Sequence, residues 1–283
     1  MRQDVIDLYD DFTHRRIGRR EFMDRLTAIA GSGAAALALL NLVQPNYAQA
    51  ALVAADDARL TTERVAVENG PKGYLARPAG ASGKLPGIVI VHENRGLNAH
   101  IEDVARRTAL EGFLALAPDF LTPAGGTPDD PERAREMIGQ LAMDAVVADA
   151  KRAIAWLGSR PDSNGKVGIV GFCWGGGVVG QVAVAEPELD AGVVFYGRTP
   201  PADRVASIKA PLLLHYAGLD ERINADVPAF QGALDTAGVR YRLYMYDGAN
   251  HAFHNDTSEA RYSADAANLA WKRTIAFFKE TLS

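Results

Sequence analysis

One cysteine, Cys173, is the only thiol in 283 residues, so an internal disulfide is excluded and cysteine usage says nothing about compartment. Positive charge is in deficit: 30 lysines and arginines face 35 acids, for a net charge of −5. No basic stripe or aromatic RNA-stacking motif offsets this, so nucleic acid is not an expected partner. Uninterrupted apolar runs are also missing. The longest candidate, Leu26 to Val43, is broken by Gly31, Ser32, Gly33 and Asn41, a poor permanent membrane span. The zinc signature HExxH is absent too. His92-Glu93-Asn94-Arg95-Gly96 lacks the second histidine and follows an apolar run that reads as a strand, and His100 does not repair the spacing. His251 and His254 are the other pair that could chelate a metal. Repeats and low-complexity tracts are lacking, and 48% hydrophobic residues are enough for one sizeable core.

The first fifty residues differ from the rest. Gly18-Arg19-Arg20-Glu21-Phe22-Met23 resembles a twin-arginine export motif, the weakly apolar run follows it, and Ala48-Gln49-Ala50 fits a small-residue cleavage site. A removable signal would place the protein in the periplasm or outside the cell. Against it stand Asp4, Asp7, Asp10 and Asp11, because export signals usually begin basic. The alternative is a retained N-terminal helical extension that packs on the domain or a partner subunit of a cytoplasmic protein. The expected division is 1–50 for this segment and 51–283 for one α/β domain.

In that domain apolar runs alternate with helical stretches, the pattern of a mostly parallel sheet covered by helices on both faces. Strands are expected at Arg64 to Val67, Gly73 to Ala76, Gly87 to Val91, Phe113 to Ala117, Val167 to Val170, Ala191 to Phe195, Pro211 to His215 and Tyr241 to Tyr246. Helices are expected at Asn98 to Glu111, Arg133 to Leu141, Met143 to Ser159, Val227 to Ala237 and Ala260 to Leu282, with a long loop from Pro118 to Pro131.

The stretch Val167 to Gly177 carries the chemistry. A short β-branched run ends in Gly171-Phe172-Cys173-Trp174-Gly175, the G-x-C-x-G form of a nucleophile elbow, in which small neighbours let the central residue take a strained turn. Gly175, Gly177 and Gly180 also spell GxGxxG, but Cys173 and Trp174 intervene after the strand. The nearby acids Glu186, Glu188 and Asp190 precede the next strand instead of closing it, so a dinucleotide is not expected. A thiol is mostly protonated at neutral pH and needs a base. Asp220 follows one expected strand and His251 the next, giving the order nucleophile, acid, histidine. Asp220 would orient His251, and His251 would exchange the proton with Cys173. The alternatives are a lone-thiol redox protein, which would have no second cysteine to resolve a sulfenic acid, and a non-catalytic binding module.

With His92-Glu93-Asn94-Arg95-Gly96-Leu97, Gly171 to Gly177, Gly218-Leu219-Asp220 and Gly248-Ala249-Asn250-His251-Ala252-Phe253, residues 60–280 resemble the dienelactone hydrolase family of α/β-hydrolases. The resemblance implies hydrolysis of a small carboxylic ester or lactone through a thioester, by a Cys173-His251-Asp220 triad without metal or organic cofactor. It further implies that Glu93 contacts the resting thiol and shifts when substrate binds, and that the backbone N–H groups of Asn94 and Trp174 form the oxyanion hole. Two arginines that hold an anionic substrate in the family are missing here: Asp119 to Thr127 has none, and Asn255 or its neighbours fill the second place. Arg95 and Arg198 are the candidate replacements, with Trp174 and Tyr196 expected to line the pocket.

Overall fold

The structure, a computed structural model, describes residues 1–47 and 51–283; the expected cleavage site Ala48-Gln49-Ala50 lies outside the described residues. At the front are three helices, α1 (Gln3–Thr13), α2 (Arg19–Ala30) and α3 (Gly33–Val43). The apolar run that begins at Leu26 is therefore broken. Gly31 caps α2 in the left-handed region (φ 80°), and the Ser32 side chain accepts the Ala35 N–H to start α3. The two helices meet at a bend of 108°, and among the described residues no single helix is long and apolar enough to cross a membrane. Tyr9, Phe12, Phe22, Leu26, Leu40 and Val43 bury one another in a cluster of their own.

The rest of the chain forms an eight-stranded sheet. In chain order it runs β1 (Leu60–Ala66), β2 (Lys72–Pro78), β3 (Leu85–Val91), α4 (Ala99–Leu110), β4 (Leu114–Pro118), α5 (Pro131–Ile138), α6 (Met143–Ser159), β5 (Ser163–Phe172), α7 (Trp174–Ala185), β6 (Ala191–Phe195), β7 (Leu212–Ala217), α8 (Glu221–Asn224), α9 (Val227–Ala237), β8 (Tyr241–Tyr246) and α10 (Ala264–Thr281). The sheet order is β1-β2-β4-β3-β5-β6-β7-β8, antiparallel where β2 meets β1 and β4 and parallel everywhere else. The central strands are apolar on both faces, as strands buried between helix layers must be. Val89, Val91 and Ile169 point into a core with α6, α7 and α9, while Ile88, Ile90 and Val170 point into one with α4 and α10.

All eight strands overlap the expected ones: β6 and β8 match at both ends, β4 is shifted by one residue, and the others extend beyond the expected run at one or both ends. α5 begins two residues earlier than expected because the Asp130 side chain accepts the Glu132 N–H and Pro131 fits the first helical position. α10 begins only at Ala264, since turns returning Arg261 and Tyr262 N–H to Ser258 occupy the stretch before it. The loop from Pro118 to Pro131 is pinned. Thr127 donates through N–H and hydroxyl to Asp119 and accepts the Leu97 N–H.

Candidate active site

β5 delivers Cys173 to the carboxyl edge of the sheet. Its backbone sits at φ 55°, ψ −115°, a left-handed conformation that costs a non-glycine residue about 1–3 kcal/mol and is held here by its neighbours. The Cys173 N–H is donated to Phe195 O at 3.0 Å. The turn closes this tightly because its flanks lack side chains: a Cβ on Gly171 would lie 2.1 Å from Gly175 O, and one on Gly175 2.5 Å from Val91 O and His92 O. Trp174 is the first residue of α7, so its N–H has no intrahelical acceptor and is available at the turn.

The loops after β7 and β8 bring the acid and the histidine together. Gly218 N–H bonds Tyr246 O and Leu219 N–H bonds Ala249 O, which fixes the two loops side by side. Asp220 caps α8 through one oxygen, accepting the Ile223 N–H, and takes Nδ1 of His251 at 2.5 Å on the other. Both are buried. Burial works against a charged ring at His251, but the charges of Asp220 and Cys173 outweigh it and hold His251 up to about 10. Burial also works against ionised Asp220; the His251 charge and hydrogen bond and the Arg222 charge prevail, and its pKa lies below the usual carboxylate value. Nε2 of His251 has no hydrogen-bond partner, and a ring nitrogen of His251 lies within 4.8 Å of Cys173 Sγ.

A third ring, not foreseen from sequence, reaches the sulfur from the N-terminal segment. His14, at the end of α1, places Nε2 3.4 Å from Cys173 Sγ and stands edge-on to His251, with ring centroids 4.6 Å apart. Its Nδ1–H is donated to Asp10 O at 2.8 Å, leaving the Nε2 lone pair toward the thiol. Desolvation, then the nearby positive charges of His251 and Arg222, push its pKa well below the ordinary value, so the ring is neutral. The one weak signal in the sequence was the acidic start of the supposed export segment. Asp10 pairs with Arg261 at 3.1 Å, one of the contacts that tie α1 to the domain.

The other expected residues are placed as follows. Arg95 lies away from the large cavity: it is buried, paired with Glu132 at 2.8 Å and donating to the Tyr9 hydroxyl at 3.0 Å, so it ties α1 to the domain, and it borders a separate small cavity together with Cys173 and His251. Glu93 is beside the site but not hydrogen-bonded to the thiol. One oxygen accepts Asn255 Nδ2 at 2.6 Å and the other is buried without a partner. Asn94 donates its side chain to Thr13 O at 3.1 Å. His92 is structural, with its ring stacked on Trp174, Nδ1–H given to Glu93 O and Nε2 facing the Phe120 N–H. His254 packs among Phe172, Phe195 and Trp271, and His100 turns to Asp256. Neither His92 nor His254 meets the metal-ligand spacing. Among the described residues the one group of three that does is His14, Cys173 and His251.

Cys173, His251, Asn94, Trp174, Tyr196 and Arg198 open on a cavity of about 670 Å³, with Thr13, His14 and Arg15 forming part of its wall. The pinned loop after β4 takes no part in it. Instead, the end of α1 covers this mouth.

A strained thiol at the end of a central parallel strand, beside a carboxylate-bound histidine from a later loop, defines the chain as an α/β-hydrolase-type protein. Comparison with known proteins narrows this. The dienelactone hydrolase family matches residues 72–282, and the chain belongs to that family. Residues 1–31 separately match a YqhI-like family. The chain is 32% identical to the "Putative carboxymethylenebutenolidase" of Methylorubrum extorquens over 94% of its own length and 96% of that protein. It is 36% identical to protein usf of Aquifex pyrophilus over 76% and 96%. In three dimensions it resembles the "Putative Dienelactone Hydrolase" of Klebsiella pneumoniae, with a TM-score of 0.71, 30% identity, and coverage of 78% of this chain and 99% of that one.

Proposed function

We propose that the protein hydrolyses a small carboxylic ester or lactone through an acyl thioester on Cys173. The observation that carries this is the strained sulfur set beside His251, itself bound to Asp220 at 2.5 Å, at the mouth of a cavity large enough for a small organic substrate. His251, held protonated by Asp220 and the charge of Cys173, keeps the proton on Nε2 as the sulfur attacks the acyl carbon. The carbonyl oxygen gathers negative charge and is met by the N–H groups of Asn94 and Trp174; one such donor is typically worth about 3–4 kcal/mol. As the tetrahedral intermediate collapses, the C–O bond breaks and the departing alkoxide receives the proton from His251. Water then attacks the thioester with His251 as base, releasing the acid and the sulfur and leaving the proton on His251. Asp220 holds the ring orientation and offsets its charge throughout.

The cavity wall favours an acyl group with its own negative charge. Four arginines, Arg15, Arg135, Arg198 and Arg222, and one acid, Asp226, line it among the described residues. Arg15 and Arg198 have no ion-pair partner there, whereas Arg135 is held by Glu132 and Arg222 by Asp220. Arg198→Gln is expected to raise KM for an anionic ester several-fold more than for a neutral one of equal size.

The test is hydrolysis of short aryl esters and lactones by the full chain, with mass spectrometry of the rapidly quenched enzyme. The expected results are an acyl adduct on the Cys173 peptide, no turnover in Cys173→Ala, and loss of about three to four orders of magnitude in kcat for Asp220→Asn. Turnover that survives Cys173→Ala, or an adduct on another residue, would end this reading.

A further inference from the structure

We infer that His14, Cys173 and His251 form a binding site for one zinc-like divalent cation, and that the bound ion shuts the hydrolase off. One ring nitrogen each of His14 and His251 and Sγ of Cys173 lie within 4.8 Å of one another, with His14 Nε2 and the sulfur at 3.4 Å. A tetrahedral zinc with Zn–S of about 2.3 Å and Zn–N of about 2.0–2.1 Å sets its N and S ligands about 3.5 Å apart. The first pair is already at that spacing, and His251 needs only a small approach.

The outer partners are those of a ligand set. A metal-binding imidazole nearly always gives its far N–H to a carboxylate or a backbone carbonyl, which fixes the tautomer and raises the ring's donor strength. Both arrangements are present: His251 Nδ1 faces the Asp220 carboxylate at 2.5 Å, and His14 Nδ1 faces Asp10 O at 2.8 Å. The other nitrogen of each ring is thus turned toward one sulfur, that of His14 as a lone pair and that of His251 once its proton is displaced. His251 is 2% exposed, and its Nε2 is a buried polar atom with no hydrogen-bond partner. All three side chains also border the cavity, which leaves room for a water as fourth ligand. One thiolate and two imidazoles suit Zn²⁺ better than Mg²⁺ or Ca²⁺, which prefer oxygen.

Binding replaces the one proton held between Cys173 and His251 by S–metal and N–metal bonds and releases it to solvent. The sulfur pair that would attack the acyl carbon and the nitrogen that would move the proton are then both taken. The N-terminal segment supplies one of the three ligands, so this site exists only while α1 is docked. The metal site stands on geometry alone; the loss of hydrolysis rests on the function proposed above.

The experiment is an anaerobic titration of the reduced, metal-free full chain with Co²⁺, followed by absorbance, with Zn²⁺ as competitor and ester hydrolysis read in parallel. One equivalent of Co²⁺ is expected to produce thiolate-to-metal charge transfer and the visible bands of tetrahedral cobalt, both displaced by Zn²⁺. Cys173→Ser is expected to lose the charge transfer, and His14→Phe, which keeps a ring against the domain, to bind at least tenfold more weakly. Hydrolysis should stop with one equivalent of Zn²⁺ and return with a chelator. Absence of a saturable one-equivalent signal, or a His14→Phe affinity equal to the parent's, overturns the site. A metal-free enzyme that binds Co²⁺ in this way yet cleaves no ester keeps the site and refutes the hydrolase reading; one that cleaves esters without the cobalt signal does the reverse.

Discussion

Backbone contacts, more than the preference of cysteine itself, hold the sulfur where it is. A Cβ on Gly175 would press on the carbonyls of Val91 and His92, and carbonyls of a central strand cannot give way as a flexible side chain could. Gly175→Ala is therefore expected to cost at least the 1–3 kcal/mol (about) of ordinary overpacking, seen as a lower urea midpoint, and to slow Cys173 alkylation as the elbow shifts. An unchanged midpoint would mean that the turn is looser than its contacts. The elbow was legible because strand, glycines and cysteine are contiguous, and Asp220 and His251 because each follows its own strand. His14 was not, since 159 residues separate it from the thiol it touches. The surroundings of Arg95 were hidden for a related reason. Its place next to Asn94 says nothing of Tyr9 and Glu132, which claim its guanidinium.

At the scale of elements, α1 to α3 behave as an accessory unit. Their apolar side chains bury chiefly one another, and the bridges to the domain include several polar ones: Arg261 to Asp10, Arg95 to Tyr9, Asn94 to Thr13 O, and Arg135 stacked over Phe12. Phe22 is the keystone of the cluster, parallel to Phe12 at 4.6 Å and edge-on to Tyr9 at 6.3 Å. Removing a buried phenylalanine costs about 3–5 kcal/mol, enough to release a unit of this size. Phe22→Ala is expected to speed amide exchange across residues 3–43 while β3 and β5 keep their protection, and to raise the alkylation rate of Cys173. Equal loss of protection in the central strands would show one cooperative body instead. The mature N-terminus bears on the two sequence readings of this segment. A chain purified from its own cells that retains His14 keeps the docked wall, whereas a start near residue 51 assigns these helices to export. The strands were readable from apolar runs, and the break near Gly31 from its local glycine and serine, but the docking of α1 needed tertiary contacts.

Across the whole molecule, the buried imidazoles set how stability responds to pH. His14, His92, His215 and His254 all have pKa values lowered, in each case first by desolvation, and His215 falls to about 3. At His215 the tautomer is fixed: Thr274 gives its hydroxyl proton to Ala270 O and so accepts Nε2–H, which leaves Nδ1 to accept the Tyr246 hydroxyl. A proton on Nδ1 would break that bond. The unfolded chain, with histidines near 6.5, therefore binds more protons than the folded one below that pH, and stability must fall as pH drops from about 6.5 toward 3. His251 acts in the opposite direction. Held up to about 10, it contributes stability that is fully present below about 6.5 and is lost as pH rises toward 10. The two slopes meet near neutrality, so the urea midpoint should be greatest near pH 6.5–7 and decline on both sides. His215→Gln, which carries no titrating proton, should flatten the acid slope, and His251→Ala the alkaline slope. A midpoint that is level from pH 4 to 6.5, or an acid slope unaltered in His215→Gln, would mean that these rings take up protons in the folded protein as readily as in the unfolded chain.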